Sequence, residues 1–258
     1  MTFSADSVSL ELGENTVLSS VSLKFSPGLV HVVVGPNGAG KSSLLKLFSG
    51  DCAPSSGNVK LDLQSLCDHD QSTTAQRIAV LPQQSQLNFP FSVYEVVALG
   101  RYPHNTGKIK DDEVVAAVLS AVGGLHLQDR LYTSLSGGEQ QRIHLARVLA
   151  QVWLPSPQGS RYLLLDEPTA ALDLAHQHLI LKLAVDMAKQ GLGVLSVLHD
   201  LNLAAQYADV ITLLSEGRVV AQGVPSQVLS VENIQSVYGV NVEIIPHPSQ
   251  SRFLIISE

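Results

Sequence analysis

Apolar and polar residues divide this chain into three kinds of stretch. Val8-Ser9-Leu10-Glu11-Leu12 and Val21-Ser22-Leu23-Lys24-Phe25 alternate apolar with polar, which predicts a half-exposed antiparallel pair of strands. After a turn at Pro54-Ser55-Ser56-Gly57, Val59-Lys60-Leu61-Asp62-Leu63 predicts another. A second kind is apolar without alternation. Leu29 to Val34, Arg77-Ile78-Ala79-Val80-Leu81-Pro82, Tyr162 to Leu165, Gly193 to Leu198 and Val210 to Leu214 read as strands covered on both faces of a parallel sheet. Helical stretches between them give βαβ units. Glu216-Gly217 turns the chain into Arg218-Val219-Val220-Ala221, and Val242 to Ile245 with Phe253 to Ile256 reads as a strand pair. The third kind lies between about residues 85 and 150, where Val93, Val96, Val97, Val114, Val118, Leu119 and Val122 recur at helical spacing. The fold class is therefore α/β, one domain over 1–258. Residues 1–84 and 156–258 form the core with its antiparallel β part, and 85–155 an inserted helical subdomain.

Composition narrows the partners. Hydrophobic residues make up 45% and charged ones 15%, a globular balance. A net charge of −7 lacks the basic excess of a broad nucleic-acid surface, so no nucleic-acid partner is expected. Cys52 and Cys67 form no CxxC pair and fit a reducing compartment. No basic, then apolar, leader opens the sequence, and no apolar run approaches the ~20 residues that span a bilayer. Any membrane span would come from another chain.

Chemistry concentrates after the Leu29–Val34 run. Gly35-Pro36-Asn37-Gly38-Ala39-Gly40-Lys41-Ser42 fits G-x-x-x-x-G-K-[ST], and Ser43 to Phe48 continues it as a helix. Glycines let the backbone N–H groups turn inward on a phosphate, and the helix N-terminus adds its positive end. Residues 35–43 are the predicted nucleotide contacts, with Lys41 reaching the β/γ-phosphates and Ser42 a Mg²⁺ ion. A nucleoside triphosphate with Mg²⁺ is the expected ligand.

Other candidates have two readings each. Asp166-Glu167 ends an apolar strand and reads either as a solvated strand end or as a Mg²⁺ ligand (Asp166) beside a general base (Glu167). Gln83 reads as a turn residue or a site residue, and His199 as a satisfied histidine at a strand end or a site residue. Asp173 reads as a helix cap. Leu135-Ser136-Gly137-Gly138-Glu139 reads as a capping box or as a second anion site at a helix start.

That last stretch resembles the signature of the ATP-binding subunits of ABC transporters, and the family's other elements follow in order over nearly the whole chain. The resemblance implies that Glu167, His199 and Gln83 are catalytic, with Glu167 the base, His199 the γ-phosphate sensor and Gln83 a Mg²⁺ contact beside Ser42 and Asp166. It makes Ala171-Leu172-Asp173 the D-loop, with Asp173 contacting across a dimer. Ser136, Gly137, Gly138 and Glu139 would touch the ATP of a partner subunit in a head-to-tail homodimer. Leu12 stands where the family commonly places an aromatic residue, which leaves the adenine contact open.

Asn88-Phe89-Pro90-Phe91-Ser92-Val93-Tyr94-Glu95-Val96-Val97 and Gly100-Arg101-Tyr102-Pro103-His104 resemble the importer branch serving iron-siderophores, haem and cobalamin. The extension at 155–161 and the stretches 172–178 and 198–205 are most similar to the ATPases of bacterial haem (hemin) importers. This implies two transmembrane permease subunits, received along residues 84–110, and an indirect substrate-binding protein, periplasmic or at the surface. The subunit would lie peripherally on the cytoplasmic face of the bacterial inner membrane. A ferric-siderophore or cobalamin importer, or a soluble non-transport ATPase, is the alternative. His176 and His178 face nearly opposite sides of a helix and cannot share a metal. With Asp68-His69-Asp70 they read as solvated surface residues.

Overall fold

A computed structural model of the chain describes residues 2–83, 87, 89–170, 172–248 and 252–257. It begins with two long strands, β1 (Phe3–Leu12) and β2 (Asn15–Phe25), followed by β3 (Val30–Val34), α1 (Lys41–Ser49), β4 (Ser56–Leu61) and β5 (Gln64–Ser65). Then come α2 (Gln71–Arg77), β6 (Ile78–Leu81), α3 (Val93–Ala98), α4 (Lys108–Ala121), α5 (Gly137–Val152) and β7 (Tyr162–Asp166). The remainder runs α6 (Leu174–Lys189), β8 (Gly193–Val197), α7 (Leu201–Tyr207), β9 (Val210–Ser215), β10 (Arg218–Gly223), α8 (Pro225–Val228), α9 (Val231–Tyr238), β11 (Val242–Pro246) and β12 (Phe253–Ser257).

The non-alternating apolar runs make the central sheet, in the order β10-β9-β3-β8-β7-β6. Its strands pair in parallel except β10, which returns on β9. All five residues of β3, β7 and β8 are buried, because layers cover both faces. The alternating runs form an antiparallel sheet, β2-β1-β4-β5, as expected. It closes one face through α1. Phe3, Phe25, Phe48 and Tyr162 meet there with ring centroids 4.9–5.4 Å apart. Aromatic pairs of this kind contribute about 0.5–1.5 kcal/mol each beyond burial. The helical insertion, α6 and α7 cover the other face. β11 and β12 form a separate two-stranded ladder.

Three local expectations change. The strand expected over 59–63 stops at Leu61, because Asp62 and Leu63 take left-handed backbone (φ 52° and 75°) and make a turn. Arg77 ends a helix instead of opening a strand; its buried guanidinium pairs with Asp62 and donates to Ser160 O (2.9 Å). Asp68 and Asp70 are exposed, as read from the sequence, with Asp70 capping that helix by accepting from Thr73 N at 2.8 Å, but His69 is half-buried, its Nε2 3.3 Å from Leu61 O. Of the sequence elements discussed above, Gln84, Ser85, Gln86, Asn88 and Ala171 lie outside the described residues.

Candidate nucleotide site

β3 delivers the chain to the phosphate loop at the carboxyl edge of the central sheet, where open α/β sheets bind their ligands. Two glycines there are dictated by space. A Cβ on Gly35 would lie 2.0 Å from Leu214 O, and one on Gly40 would strike Leu18 Cδ2 at 2.7 Å with φ already at 97°. Gly217 N donates to Ala39 O (3.2 Å), so the β9–β10 turn grips the loop from outside. Asn37, Gly38, Gly40, Lys41, Ser42 and Ser43 line a cleft of about 230 Å³ that Glu167 also reaches. Pro36 accepts from Lys41 at its carbonyl, while Gly35, Pro36 and Ala39, also predicted contacts, are not among the residues lining the cleft. Val17 of β2 lines the cleft too, a contact that the sequence reading missed because nothing local marks it. Leu12 is 57% exposed at the β1–β2 turn and is not part of this lining.

Lys41 Nζ donates to Gly35 O (2.9 Å) and Pro36 O (2.8 Å). Burial pulls its ammonium pKa down, while Glu167 and Asp166 pull it up. A phosphate oxygen entering the loop competes with those two carbonyls for a poised cation. Ser42 Oγ donates to Asp166 Oδ1 (3.1 Å), joining the start of α1 to the end of β7. Burial pushes the Asp166 carboxyl up, against the opposing Ser42 hydrogen bond. A hydroxyl and a carboxylate converging beside a triphosphate cradle form a hard-oxygen set suited to Mg²⁺, which uses few protein ligands. Among the described residues no cluster of three or more His, Cys, Asp or Glu forms a dedicated metal cage; His176 Nδ1 meets Asp173 and His178 Nδ1 meets Tyr207.

Glu167 is held on both sides. Its Oε2 accepts from Gln83 Nε2 at 2.7 Å, and its Oε1 from His199 Nε2 at 2.5 Å. Its φ is 50°, a left-handed conformation that a non-glycine residue adopts at a strain of roughly 1 kcal/mol or more. Glu167 N donates to Val197 O (3.2 Å), which fixes this turn off the sheet. Gln83, Glu167 and His199, distant in sequence, therefore meet as one cluster. Gln141 Nε2 donates to Pro168 O (2.9 Å), and Gln177 Nε2 to Thr169 O (3.3 Å) and Leu172 O (3.1 Å). These supports escaped the sequence reading, since a glutamine on a helix carries no signal of what it reaches.

The Ser136–Glu139 stretch stands apart. Ser136 caps α5; its hydroxyl and backbone N–H donate to Glu139 Oε2 (both 2.8 Å), and Glu139 N returns the bond to Ser136 Oγ. Gly137 and Gly138 are the first two helical residues. Among the described residues none of the four hydrogen-bonds a phosphate-loop residue. Asp173 caps α6 and accepts from His176 N (2.9 Å) and Nδ1 (2.7 Å). His178 is not a solvated surface residue: it is half-buried, with Nδ1 2.6 Å from the Tyr207 hydroxyl.

The Gly100–His104 stretch does two things. Arg101 is buried, donating to Ala150 O (2.7 Å), Thr106 and Asp111, and His104 Nε2 reaches Gln151 O (2.7 Å). Tyr102 between them is 91% exposed, in a region that also exposes Phe89 and Leu99. A cavity of about 640 Å³ opens near the end of α1, against α2 and Gln151; among the described residues, none from the segment expected to meet the permease lines it.

A mostly parallel sheet carrying a phosphate loop at its carboxyl edge, with Asp166 and a hydrogen-bonded Glu167 beside it, defines the class of P-loop nucleoside triphosphatases. The sequence profile of the ABC transporter family matches residues 18–170, and the chain belongs to that family. It is 49% identical over 253 residues to the hemin import ATP-binding protein HmuV of Pseudomonas fluorescens (strain Pf0-1), covering 98% of each chain. It is 47% identical over 254 residues to the protein of the same name from Gloeobacter violaceus, covering 98% of this chain and 92% of that one. Among solved structures it is similar to an inward-facing metal-chelate type ABC transporter, with TM-score 0.83 and 28% identity over 100% of this chain and 97% of that one. The fold expected from sequence is thus the fold observed, and the chain is an ABC ATPase of the transport class. Importer ATPases of this family work with membrane permease subunits, commonly as dimers. Among the described residues no helix is long and apolar enough to cross a membrane.

Proposed function

We propose that this chain is the ATP-binding subunit of a haem (hemin) importer. The cargo rests on the full-length similarity to hemin import ATP-binding proteins. Hydrolysis rests above all on one observation, the Glu167 carboxylate held between Gln83 and His199 beside the phosphate cradle.

In this reading the phosphate loop, residues 35–43, takes the triphosphate, and Lys41 turns from its carbonyl partners to the β/γ-phosphates. Glu167 orients and polarises a water, whose oxygen bonds to the γ-phosphorus as the bond to the ADP oxygen breaks. The water's proton passes to Glu167. His199 steadies the carboxylate and faces the γ-phosphate side. Ser42 and Asp166, with Gln83 in reach, would hold Mg²⁺, which supplies charge neutralisation to the phosphates.

Ser136, Gly137, Gly138 and Glu139 serve the ATP of a second copy in a homodimer, and Asp173 lies at the same junction. Two permease subunits dock on the surface around Phe89, Leu99 and Tyr102, a placement supported by exposed aromatic and aliphatic groups on a rigid base. A substrate-binding protein acts on the far side. The subunit is then peripheral, on the cytoplasmic face of the inner membrane.

The test is reconstitution with the cognate permease in liposomes, with haem-, ferric-siderophore- or cobalamin-loaded binding protein added outside. Stimulation of ATPase turnover by haem alone is expected. Stimulation by another cargo instead overturns the haem reading, and failure to associate with any permease overturns transport.

A further inference from the structure

α7 begins one residue after Asp200, which follows His199 directly. Asp200 Oδ1 caps the helix by accepting from Asn202 N (2.7 Å) and Leu203 N (3.0 Å). The backbone that carries His199 is thus continuous with a short helix, and the imidazole lies 2.5 Å from Glu167 Oε1.

Seven residues make a weak helix by themselves, so α7 depends on its neighbours for its position. On one side it meets β12. Asn202 Nδ2 donates to Ile255 O (3.0 Å), while Ile255 N donates to Asn202 Oδ1 (2.8 Å). The Asn202 amide thereby pairs with the backbone of β12 as another strand would, two bonds from one side chain. Arg252, just before β12, donates from Nη1 to Ala205 O (2.7 Å) near the other end of the helix. Phe253 and Ile255 add apolar packing to the same core. On the opposite side the Tyr207 hydroxyl meets His178 of α6.

We infer that the β11–β12 hairpin is part of the catalytic switch, and that Asn202 is a positioning residue that sets His199 against Glu167. An amide that only fastened the hairpin would need no such location. Here the fastening point is three residues from the histidine, inside the turn that Asp200 caps. The inference rests on the proposed role of His199.

The test uses the full chain and single-turnover ATP hydrolysis, which reaches the slow rates of impaired variants. Asn202→Ala is expected to lower the hydrolysis rate about 10- to 100-fold, the range that small misplacement of a reacting group produces, while the Kd for MgATP stays within about twofold. In a His199→Ala background the same change is expected to add nothing. Faster amide exchange over residues 199–205 should accompany the single change. Arg252→Ala, further from His199, is expected to act in the same direction more weakly, and supplies a second variant if Asn202→Ala fails to fold. Full activity in Asn202→Ala and Arg252→Ala, or losses that add to that of His199→Ala, would overturn the inference. Unchanged turnover in His199→Ala alone would overturn the reading of His199 itself, and with it the route through which Asn202 acts.

Discussion

The two helix starts proposed above to meet phosphate are built in opposite ways. At the first, the N-terminus of α1, no side chain caps the helix, and the loop before it is stretched open between Leu18, Leu214 and Gly217. Its polar groups reach toward other elements: Ser42 to Asp166, and the neighbouring Glu167 to Gln83 and His199. At the second, the N-terminus of α5, Ser136 and Glu139 satisfy each other in a closed capping box. One end is a chemical centre assembled from four separate segments; the other is a finished helix cap that presents glycine N–H groups outward. The contrast teaches that, in the proposed reading, the groups that activate water all come from one chain, whereas, among the described residues, the Ser136 helix start has no partner of that kind beside it. A second copy supplies what it lacks in the proposed dimer.

Breaking the first end should have the largest effect. Glu167→Gln is expected to leave MgATP binding intact and to cut hydrolysis by ~10²–10⁴, the usual contribution of a positioned general base; phosphate release under saturating ATP measures it, and unchanged turnover would remove Glu167 from that role.

Next comes a pH effect confined to the same half of the molecule. His31 lies on β3, immediately before the phosphate loop, buried with Nε2 2.8 Å from Thr212 Oγ1, and burial pulls its pKa down from 6.5 to about 4. The unfolded chain therefore takes up the proton first. The stability from neutral His31 is fully present above pH 6.5 and declines as pH falls from 6.5 to about 4, by up to about 3 kcal/mol at 1.36 kcal/mol per pH unit. Denaturant melts at pH 7 and pH 4.5 should show this loss, and His31→Gln should shrink it.

Smaller again, Lys41→Ala should weaken MgATP binding about 10- to 100-fold, the equivalent of one or two charge-assisted hydrogen bonds; calorimetric titration of the isolated subunit reads it directly. The smallest change in the isolated subunit should come from Ser136→Ala. It loses about 1 kcal/mol of helix capping, with no change in the subunit's own affinity for ATP. Its larger consequence should be a loss of ATP-driven dimerisation, seen by light scattering with Glu167→Gln as the reference. If Ser136→Ala weakened ATP binding by the isolated subunit, the separation of the two ends would be wrong.

What the sequence made legible was what depends on neighbours along the chain. β3, the loop and α1 follow one another in one window, as do β7 and its terminal carboxylates, and Ser136 with Glu139 announces a capped helix. α2 was not legible, since Gln71-Ser72-Thr73-Thr74 has no apolar face and depends on the Asp70 cap and the burial of Arg77. Arg101 and His104 look in sequence like surface residues of one loop, yet their partners are carbonyls about fifty positions away. His178 likewise takes its meaning from Tyr207. The candidate site was read further than most of its supports because its residues belong to a recurring pattern. Gln141, Gln177 and Asn202 belong to none that periodicity reveals.

The grip of Arg101 and His104 has a mechanical consequence. Both hold carbonyls in the last turn of α5, at Ala150 and Gln151, and Ser136 caps the first turn of the same helix. Sixteen residues at 1.5 Å each make a strut about 24 Å long between exposed Tyr102 and the Ser136 cap. A Cβ on Gly100 would sit 2.0 Å from Arg147 O, so the joint at that end has no slack. In the proposed reading, a load on the Tyr102 loop would reach Gly137 and Gly138 through this one helix, which Arg101 and His104 hold at the far end.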